Sequence, residues 1–365
     1  MSLIRPMGEK NDLSGAGQME IQEEVKMKKT VFFGALTVAG LAAGVASAAT
    51  LDDVKARGVL NCGVTTGLVG FAAPDANGVW EGFDVGVCRA VAAAVLGDPT
   101  AVEFVPTTGK TRFTALASGE IDLLARNTTW TMSRDVDLKF EFVGVNYYDG
   151  QGFMVPKDLG VSSAKDLDGA TVCIQTGTTT ELNLADFFRS NSISYEPVPI
   201  ETNAEAQQQY LAGACDVYTT DASGLAATRA TFEAPDDHVL LPEIVSKEPL
   251  GPLVRHGDND WGDIARWTLN ALITAEELGV TSANIAELSA APTNNPEVNR
   301  LLGTEGELGA MLGLEADWAK NAIMAGGNYG ELFEGNIGES TPIGLARGLN
   351  AMWTEGGLIY SPPFR

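Results

Sequence analysis

Residues 115–135 read ALASGEIDLLARNTTWTMSRD. Residues 115–118 have the character of a helix end, and Gly119 stops the helix. Residues 121–125 form an apolar run with the length of a buried parallel strand. Polar side chains crowd its carboxyl end: Arg126, Asn127, Thr128, Thr129 and, a little further on, Arg134. Ligands of open α/β sheets bind beyond the carboxyl ends of strands. An amide, hydroxyls and a guanidinium therefore stand where a small ligand is expected. Taken alone, the stretch reads equally well as a polar loop with a surface arginine.

A second copy shifts that balance. Residues 209–221 read QYLAGACDVYTTD, with Gly213 and Asp216 spaced as Gly119 and Asp122 are. Each copy is helix, glycine, strand, then ligand-type side chains, with Asn127 closing one and Asp221 the other. Two α/β units ending in a cation and a carboxylate can face each other across a cleft. The natural guest is a zwitterion, with Arg134 for its carboxylate and Asp221 for its ammonium. Asp221 also reads as the cap of a helix over 222–232.

Outward from these stretches, the chain alternates strands and helices. Strands are expected at 59–64, 102–105 and 121–125, with helices at 82–96 and 110–118. In the first helix Phe83, Val87, Val91 and Val95 recur every fourth residue on one face. The order β-α-β-α-β implies a parallel, doubly wound sheet. Residues 143–155 read as an extended crossover, after which the pattern restarts with strands at 171–175, 194–198 and 216–220. Thr178 and Glu181 form a capping-box pair opening a helix to residue 190. Thr178, Thr179 and Thr180 at that start can offer N–H groups and hydroxyls to an anion, or serve as a plain cap. Residues 249–255 form a second crossover, and an amphipathic helix covers 260–278. From 283 onward the chain is helical and glycine-punctuated, with Trp318, Tyr329, Trp353 and Tyr360 as packing residues.

The start of the chain reads as an export signal. Lys28 and Lys29 follow Met27, residues 31–45 are apolar, and Ala46-Ser47-Ala48 is an A-x-A cleavage site. A membrane anchor is the competing reading, disfavoured by the short Gly/Ala-rich run. Residues 1–26 carry no structural pattern and read as an extension upstream of a start at Met27. The net charge of −24 makes nucleic acid an unsuitable partner. Within this acidic chain Lys110, Arg112, Arg126 and Arg134 form a local basic cluster. It is suited to an anionic guest or to ion pairs with Glu120, Asp122 and Asp135. Four cysteines in an exported chain suggest two disulfides. Cys62–Cys88 and Cys173–Cys215 keep one bridge in each lobe and leave closure free; buried free thiols are the alternative. The only two histidines, His238 and His256, have no partner at metal-ligand spacing. No P-loop or nucleophile elbow is present. Neither a metal nor a cofactor is expected, and nothing in the pattern calls for catalysis.

Segments such as CGVTTGLVGFAAPD, WEGFDVGVCRAVAAAVLGD, RNTTWTMSRD, QTGTTTELNLADFFR and CDVYTTDASGLA resemble the polar amino-acid family of periplasmic solute-binding proteins of ABC importers, and among them the general L-amino-acid-binding branch. The resemblance spans nearly all of the chain from Cys62 to Arg365. It implies an α/β, two-lobed, type II Venus-flytrap fold, with lobe one at 51–147 plus 253–365 and lobe two at 148–252. It implies a periplasmic protein that captures L-amino acids by hinge closure and delivers them to permease and ATPase subunits. Carried over by residue, the carboxylate-binding arginine falls on Arg134 and its hydroxyl partner on Thr129. The helix-start site falls on Thr178, Thr179 and Thr180, and the ammonium-binding carboxylate on Asp221. Arg126 and Asn127 match the branch. Where relatives stack an aromatic ring on the ligand this chain has Leu68, for which Phe71 or Trp130 can substitute. The rival on the same fold is an exported dehydratase acting on an aromatic amino-acid precursor. It needs a general acid near Thr129 or Asp221, and the sequence offers no obvious one.

Overall fold

The computed structural model describes residues 49–365. The expected extension at 1–26 and export signal at 27–48 lie outside the described residues. Helix α1, Thr50–Arg57, precedes strand β1, Leu60–Thr65. A small hairpin, β2 (Ala73–Pro74) and β3 (Trp80–Glu81), leads into α2, Phe83–Leu96. Then come β4 (Val102–Thr107), α3 (Arg112–Ser118), β5 (Leu123–Leu124) and β6 (Phe140–Phe142). Strand β7 (Tyr147–Asp149) carries the chain across to β8 (Gln151–Pro156), β9 (Ala170–Gln175), α4 (Thr179–Asn191), β10 (Tyr195–Ile200), α5 (Asn203–Leu211), β11 (Val217–Asp221), α6 (Ala222–Arg229) and β12 (His238–Leu240). Strands β13 (Glu248–Leu250) and β14 (Leu253–Arg255) return it, and α7 (Asn259–Glu277) packs back on the first unit.

Two five-stranded sheets result, ordered β4-β1-β5-β14-β6 and β10-β9-β11-β8-β12. In each, the three strands expected from the repeated α/β pattern are parallel. The sheets are nevertheless mixed and not purely parallel. Strand β14 lies antiparallel between β5 and β6, and β8 lies antiparallel between β11 and β12. The two stretches read as crossovers thus contribute strands to the sheets they reach. Between the sheets they pair with each other, β7 with β13, aligning Asp149 with Glu248 and Tyr147 with Leu250. The crossing is tight at Gly251, where a Cβ would lie 1.9 Å from the carbonyl oxygen of Gly144. No side chain fits there.

Helix α2 is apolar nearly all round because it is buried between the first sheet and the later helices. Gly119 ends α3 with φ of 78°, a left-handed conformation that costs glycine little. The apolar run after it reaches the sheet with Leu123 and Leu124 fully buried. Disulfides join Cys62 to Cys88 and Cys173 to Cys215, one beside each sheet, and leave no free cysteine among the described residues. Trp318 and Tyr329 are core residues, but Trp353 and Tyr360 are about half exposed and pack edge-to-face on each other. Among the described residues no helix is long and apolar enough to cross a membrane.

Candidate ligand-binding site

The two sheets turn the carboxyl ends of their parallel strands toward one another. A small, closely walled polar cavity lies between them. From the first sheet it is lined by Thr65 at the end of β1, by Leu68, by Arg112 on α3, and by Arg126, Asn127 and Thr129 after β5. From the second come Gln175, the threonines Thr178, Thr179 and Thr180 at the start of α4, Asn203, Thr220, Asp221 and Gly224.

Each lining group is held by a local device. Asn127 has φ of 30°, rare for a residue with a side chain. Its N–H donates to the buried carboxylate of Asp84 at 3.0 Å, and its own Oδ1 is buried without a partner. The Nε of Arg126 donates to the Thr107 carbonyl at 3.0 Å. Thr178 caps α4 as expected, accepting from the Glu181 N–H at 3.4 Å, but Glu181 turns back to the N–H of Gly177, one residue before the cap. The Thr178 hydroxyl donates to the Gln175 carbonyl at 2.7 Å.

Arg112 was legible in sequence only as one member of a basic cluster. It is 2 % exposed, and its Nη atoms make long bonds, 3.2 Å to the Thr128 hydroxyl and 3.4 Å to the Gly177 carbonyl. Its Nε has no partner. Arg134 stands behind the cavity and is not among the lining residues. Its Nη1 donates to the Thr129 carbonyl at 2.8 Å, and its guanidinium lies 5.2 Å from the Phe113 ring centre. Among the described residues no carboxylate is within ion-pair distance of Arg112, Arg126 or Arg134; Asp122 pairs instead with Arg57. Burial destabilises all three cations, and neighbouring arginines add repulsion at Arg112 and Arg126. Burial first, then Arg134, pushes Arg126 down to about 10. Burial pushes Arg134 to about 10, and Arg112 falls well below the ordinary range.

The opposite wall carries the complementary charge. Asp221 is 6 % exposed. Burial, then the nearby Asp149 and Glu248 carboxylates, raise its pKa well above the ordinary 3.8; Arg112 and the Asn127 amide pull the other way. Its side chain does not cap α6, contrary to the expectation. That task falls to Asp149, whose carboxylate accepts the N–H and hydroxyl of Ser223. Burial pushes Asp149 itself up to about 6.

Two expected residues lie elsewhere. Phe71 is 1 % exposed and packs edge-to-face on Phe83 and Tyr147 in the core. Trp130 stacks on Phe142 at the surface, its Nε1 donating to Asp135 at 2.8 Å. Neither ring reaches the cavity, so Leu68 is its apolar contact from that loop. The sequence also offered no acid near Thr129, yet Glu248 lies there. Its carboxylate, 1 % exposed, accepts the hydroxyls of Thr129, Thr179 and Ser246 and the amide of Asn183. It is fully engaged as an acceptor and does not line the cavity. Among the described residues no group of three His, Cys, Asp or Glu could hold a metal ion.

Two α/β lobes, two connecting strands and a polar cavity between facing strand ends define a two-lobed solute-capturing protein. The chain belongs to the bacterial extracellular solute-binding proteins, family 3, whose pattern matches residues 60–284. It is 68 % identical to the glutamate/glutamine/aspartate/asparagine-binding protein BztA of Rhodobacter capsulatus, over 93 % of this chain and all of that one. It is 58 % identical to the general L-amino acid-binding periplasmic protein AapJ of Rhizobium johnstonii, again over 93 % of this chain and all of the relative. An ABC transporter periplasmic binding protein from Brucella ovis, solved with glutathione bound, superposes with a TM-score of 0.84 at 56 % identity, covering 87 % of this chain and all of that one.

Proposed function

We propose that this chain captures L-amino acids in the periplasm, after export and cleavage following Ala48, and delivers them to the permease and ATPase subunits of an ABC importer. One observation carries the reading: unpaired buried guanidinium groups and the buried carboxylate of Asp221 come from different sheets and are brought to one cavity. A zwitterion satisfies both. Its carboxylate goes to the arginine wall, where Arg112 and Arg126 face it and Arg134 backs them. Its ammonium goes to Asp221. The spare N–H groups of Arg112 and Arg126 favour side chains that end in a carboxylate or amide, and BztA carries such guests in its name. Specificity is broad because Leu68 is an unshaped apolar contact and, among the described residues, no aromatic ring lines the cavity.

Residues 51–147 plus 253–365 move as one lobe and 148–252 as the other, bending at β7 and β13. The guest stabilises the closed form because its second set of contacts exists only there. The dehydratase reading finds no support: Glu248, the acid beside Thr129, is spent on four donors, and the relatives at 58–68 % identity are binding proteins. Calorimetric titration of the purified protein with L-glutamate, L-glutamine, L-alanine and glutathione tests the proposal. Micromolar binding, about 8 kcal/mol, is expected for the first two. The γ-glutamyl end of glutathione presents the same zwitterionic head, so binding of glutathione alone would narrow the guest to peptides of that type. No heat with any of them would refute the function.

A further inference from the structure

Strand β7 leaves the first lobe with both of its edges occupied. One edge pairs with β13, placing Tyr148 opposite Pro249 and Asp149 opposite Glu248. The other edge is met by side chains from beyond residue 284, where the family pattern stops. The buried amide of Asn350 carries a donor and an acceptor, as a peptide group does, and takes the place of a further strand. The Tyr148 N–H donates to Asn350 Oδ1 at 2.6 Å, and Asn350 Nδ2 donates to the Tyr148 carbonyl at 3.2 Å. Just before it on the strand, the Asn146 carbonyl accepts the buried Tyr329 hydroxyl at 2.9 Å. Arg347 ties both side chains down. Its Nε donates to the Asn350 carbonyl at 2.9 Å, and its Nη atoms reach the Glu276 carboxylate on α7 at 2.9 and 3.2 Å. Its guanidinium lies 5.2 Å from the Tyr329 ring centre.

The grip on β7 changes hands at a single step. Through Tyr148 the strand is held by the first lobe. From Asp149 onward it is held by the second: the Asp149 carboxylate accepts the N–H and hydroxyl of Ser223, and the Gly150 carbonyl accepts the Ala222 N–H at 2.8 Å. The return strand changes hands opposite this point. The Ser246 hydroxyl accepts the Gln151 N–H at 3.1 Å, whereas the Pro249 carbonyl accepts the Trp130 N–H at 2.8 Å. A hinge bends at the few residues left free to change their dihedrals. We infer that Asn350, with Tyr329 and Arg347 behind it, is a positioning residue that pins β7 to the first lobe as far as Tyr148. It thereby confines the bend between the lobes to the step from the Tyr148–Pro249 pair to the Asp149–Glu248 pair. A bend confined to one step leaves the second lobe a narrow arc of travel, which returns Asp221 and the start of α4 to the same register against Arg112 and Arg126. Without the Asn350 amide, the outer N–H and C=O of Tyr148 lose their partners and the bend spreads back toward Asn146. The empty protein then samples more arrangements, fewer of which can close on a guest.

The inference rests on the proposed hinge closure around an amino acid and adds to it where the chain bends. Spin labels at Glu103→Cys on β4 and Glu196→Cys on β10, exposed positions on the edge strands of the two sheets, report the distance between the lobes. The distance is measured in the otherwise wild-type chain, in Asn350→Leu and in Tyr329→Phe, each empty and saturated with L-glutamate. Calorimetry gives the affinities, and thermal melts check folding. Leu has nearly the shape of Asn and makes neither bond. Phe removes one hydroxyl only and carries the test if Asn350→Leu does not fold. The wild type is expected to show a narrow distribution in each state, at different distances. In Asn350→Leu the empty distribution should widen about twofold or more and the Kd rise about threefold or more, because apparent affinity falls with the fraction of competent conformers. The loaded distribution should stay as narrow as in the wild type, and Tyr329→Phe should move the same way by less. Empty distributions as narrow as the wild type's in the folded variants, or equal widening of the empty and loaded states, would overturn the inference. A wild type that does not bind L-glutamate, or whose label distance does not change on binding it, would instead overturn the functional reading beneath it.

Discussion

Replacing Asp221 by Asn should strengthen the empty protein and cripple the loaded one. In the empty cavity the Asp221 carboxylate is penalised first by burial, then by Asp149 and Glu248, and Arg112 offsets only part of this. Its folded pKa is therefore above the unfolded one. The folded state holds this proton more firmly, so the associated stability is complete below the ordinary 3.8 and is lost as pH rises through the raised folded value. Near neutral pH the ionised side chain is a net cost to the empty fold. The asparagine side chain has the same shape and no charge, and relief of about 1–2 kcal/mol is expected. At about 2–4 °C per kcal/mol, the empty variant should melt a few degrees higher. Binding moves the other way. Truncating one partner of a buried charge pair typically costs about 2–5 kcal/mol, roughly 30- to 5,000-fold in Kd. The wild type carries one further signature. An ammonium guest drives the proton off Asp221, so affinity should climb with pH until the raised carboxyl pKa is passed, whereas the asparagine variant should be flat. Thermal melts and calorimetry from pH 5 to pH 8 read all three quantities. An Asp221→Asn protein that is less stable when empty, or that binds L-glutamate as the wild type does, would refute the reasoning.

Arg112→Met should leave the empty protein as stable or more so, because burial and two neighbouring cations already disfavour the guanidinium. A hydrogen bond to a charged group contributes about 1.5–3 kcal/mol, so the Kd for L-glutamate should rise roughly tenfold or more, with a smaller change for L-alanine in parallel titrations. Cys173→Ser with Cys215→Ser removes a bridge across 42 residues of the second lobe and should cost about 2–4 kcal/mol in urea unfolding. Its L-glutamate affinity should stay within threefold of wild type, since neither sulfur lines the cavity.

What the sequence made legible is what is local. Gly119, the apolar run after it and the polar residues at 126–129 lie within eleven positions, and helix end, strand and strand-end ligands follow from that order alone. The copy ending at Asp221 gave the second sheet in the same way. Corrections arise where a residue's task is set by a distant one. Asp221 looked like a helix cap because it precedes α6, yet Asp149, on the crossover strand, takes that role. Composition shows that Phe71 and Trp130 are rings but not which way they point: one enters the core against Phe83, the other stacks outward on Phe142. Arg112 sat in a visible basic cluster, but only the fold distinguishes the arginines that line the cavity from Arg134 behind them. Glu248 gave no signal, being 119 positions from Thr129 and meeting it only because β13 crosses between the lobes.

The cavity departs from the rules that govern the rest of the molecule, and the departures share one direction. Buried charges are ordinarily paired and buried donors bonded. Here Arg112 Nε and Asn127 Oδ1 are orphaned, Asn127 is held at a positive φ, and Asp221 is buried beside other carboxylates. The cations and the carboxylate could neutralise one another by direct contact, and a protein selected for stability alone would let them. Glu248, anchored on the crossover strand, holds Thr129 and Thr179 between the walls, and Gly251 against Gly144 fixes how closely the two connecting strands pass. Among the described residues the opposite charges make no direct ion pair across the cavity. Closing on nothing leaves both walls unsatisfied; closing on a zwitterion satisfies both together. That difference in free energy lets the guest, and not the chain's own packing, decide when the lobes stay shut.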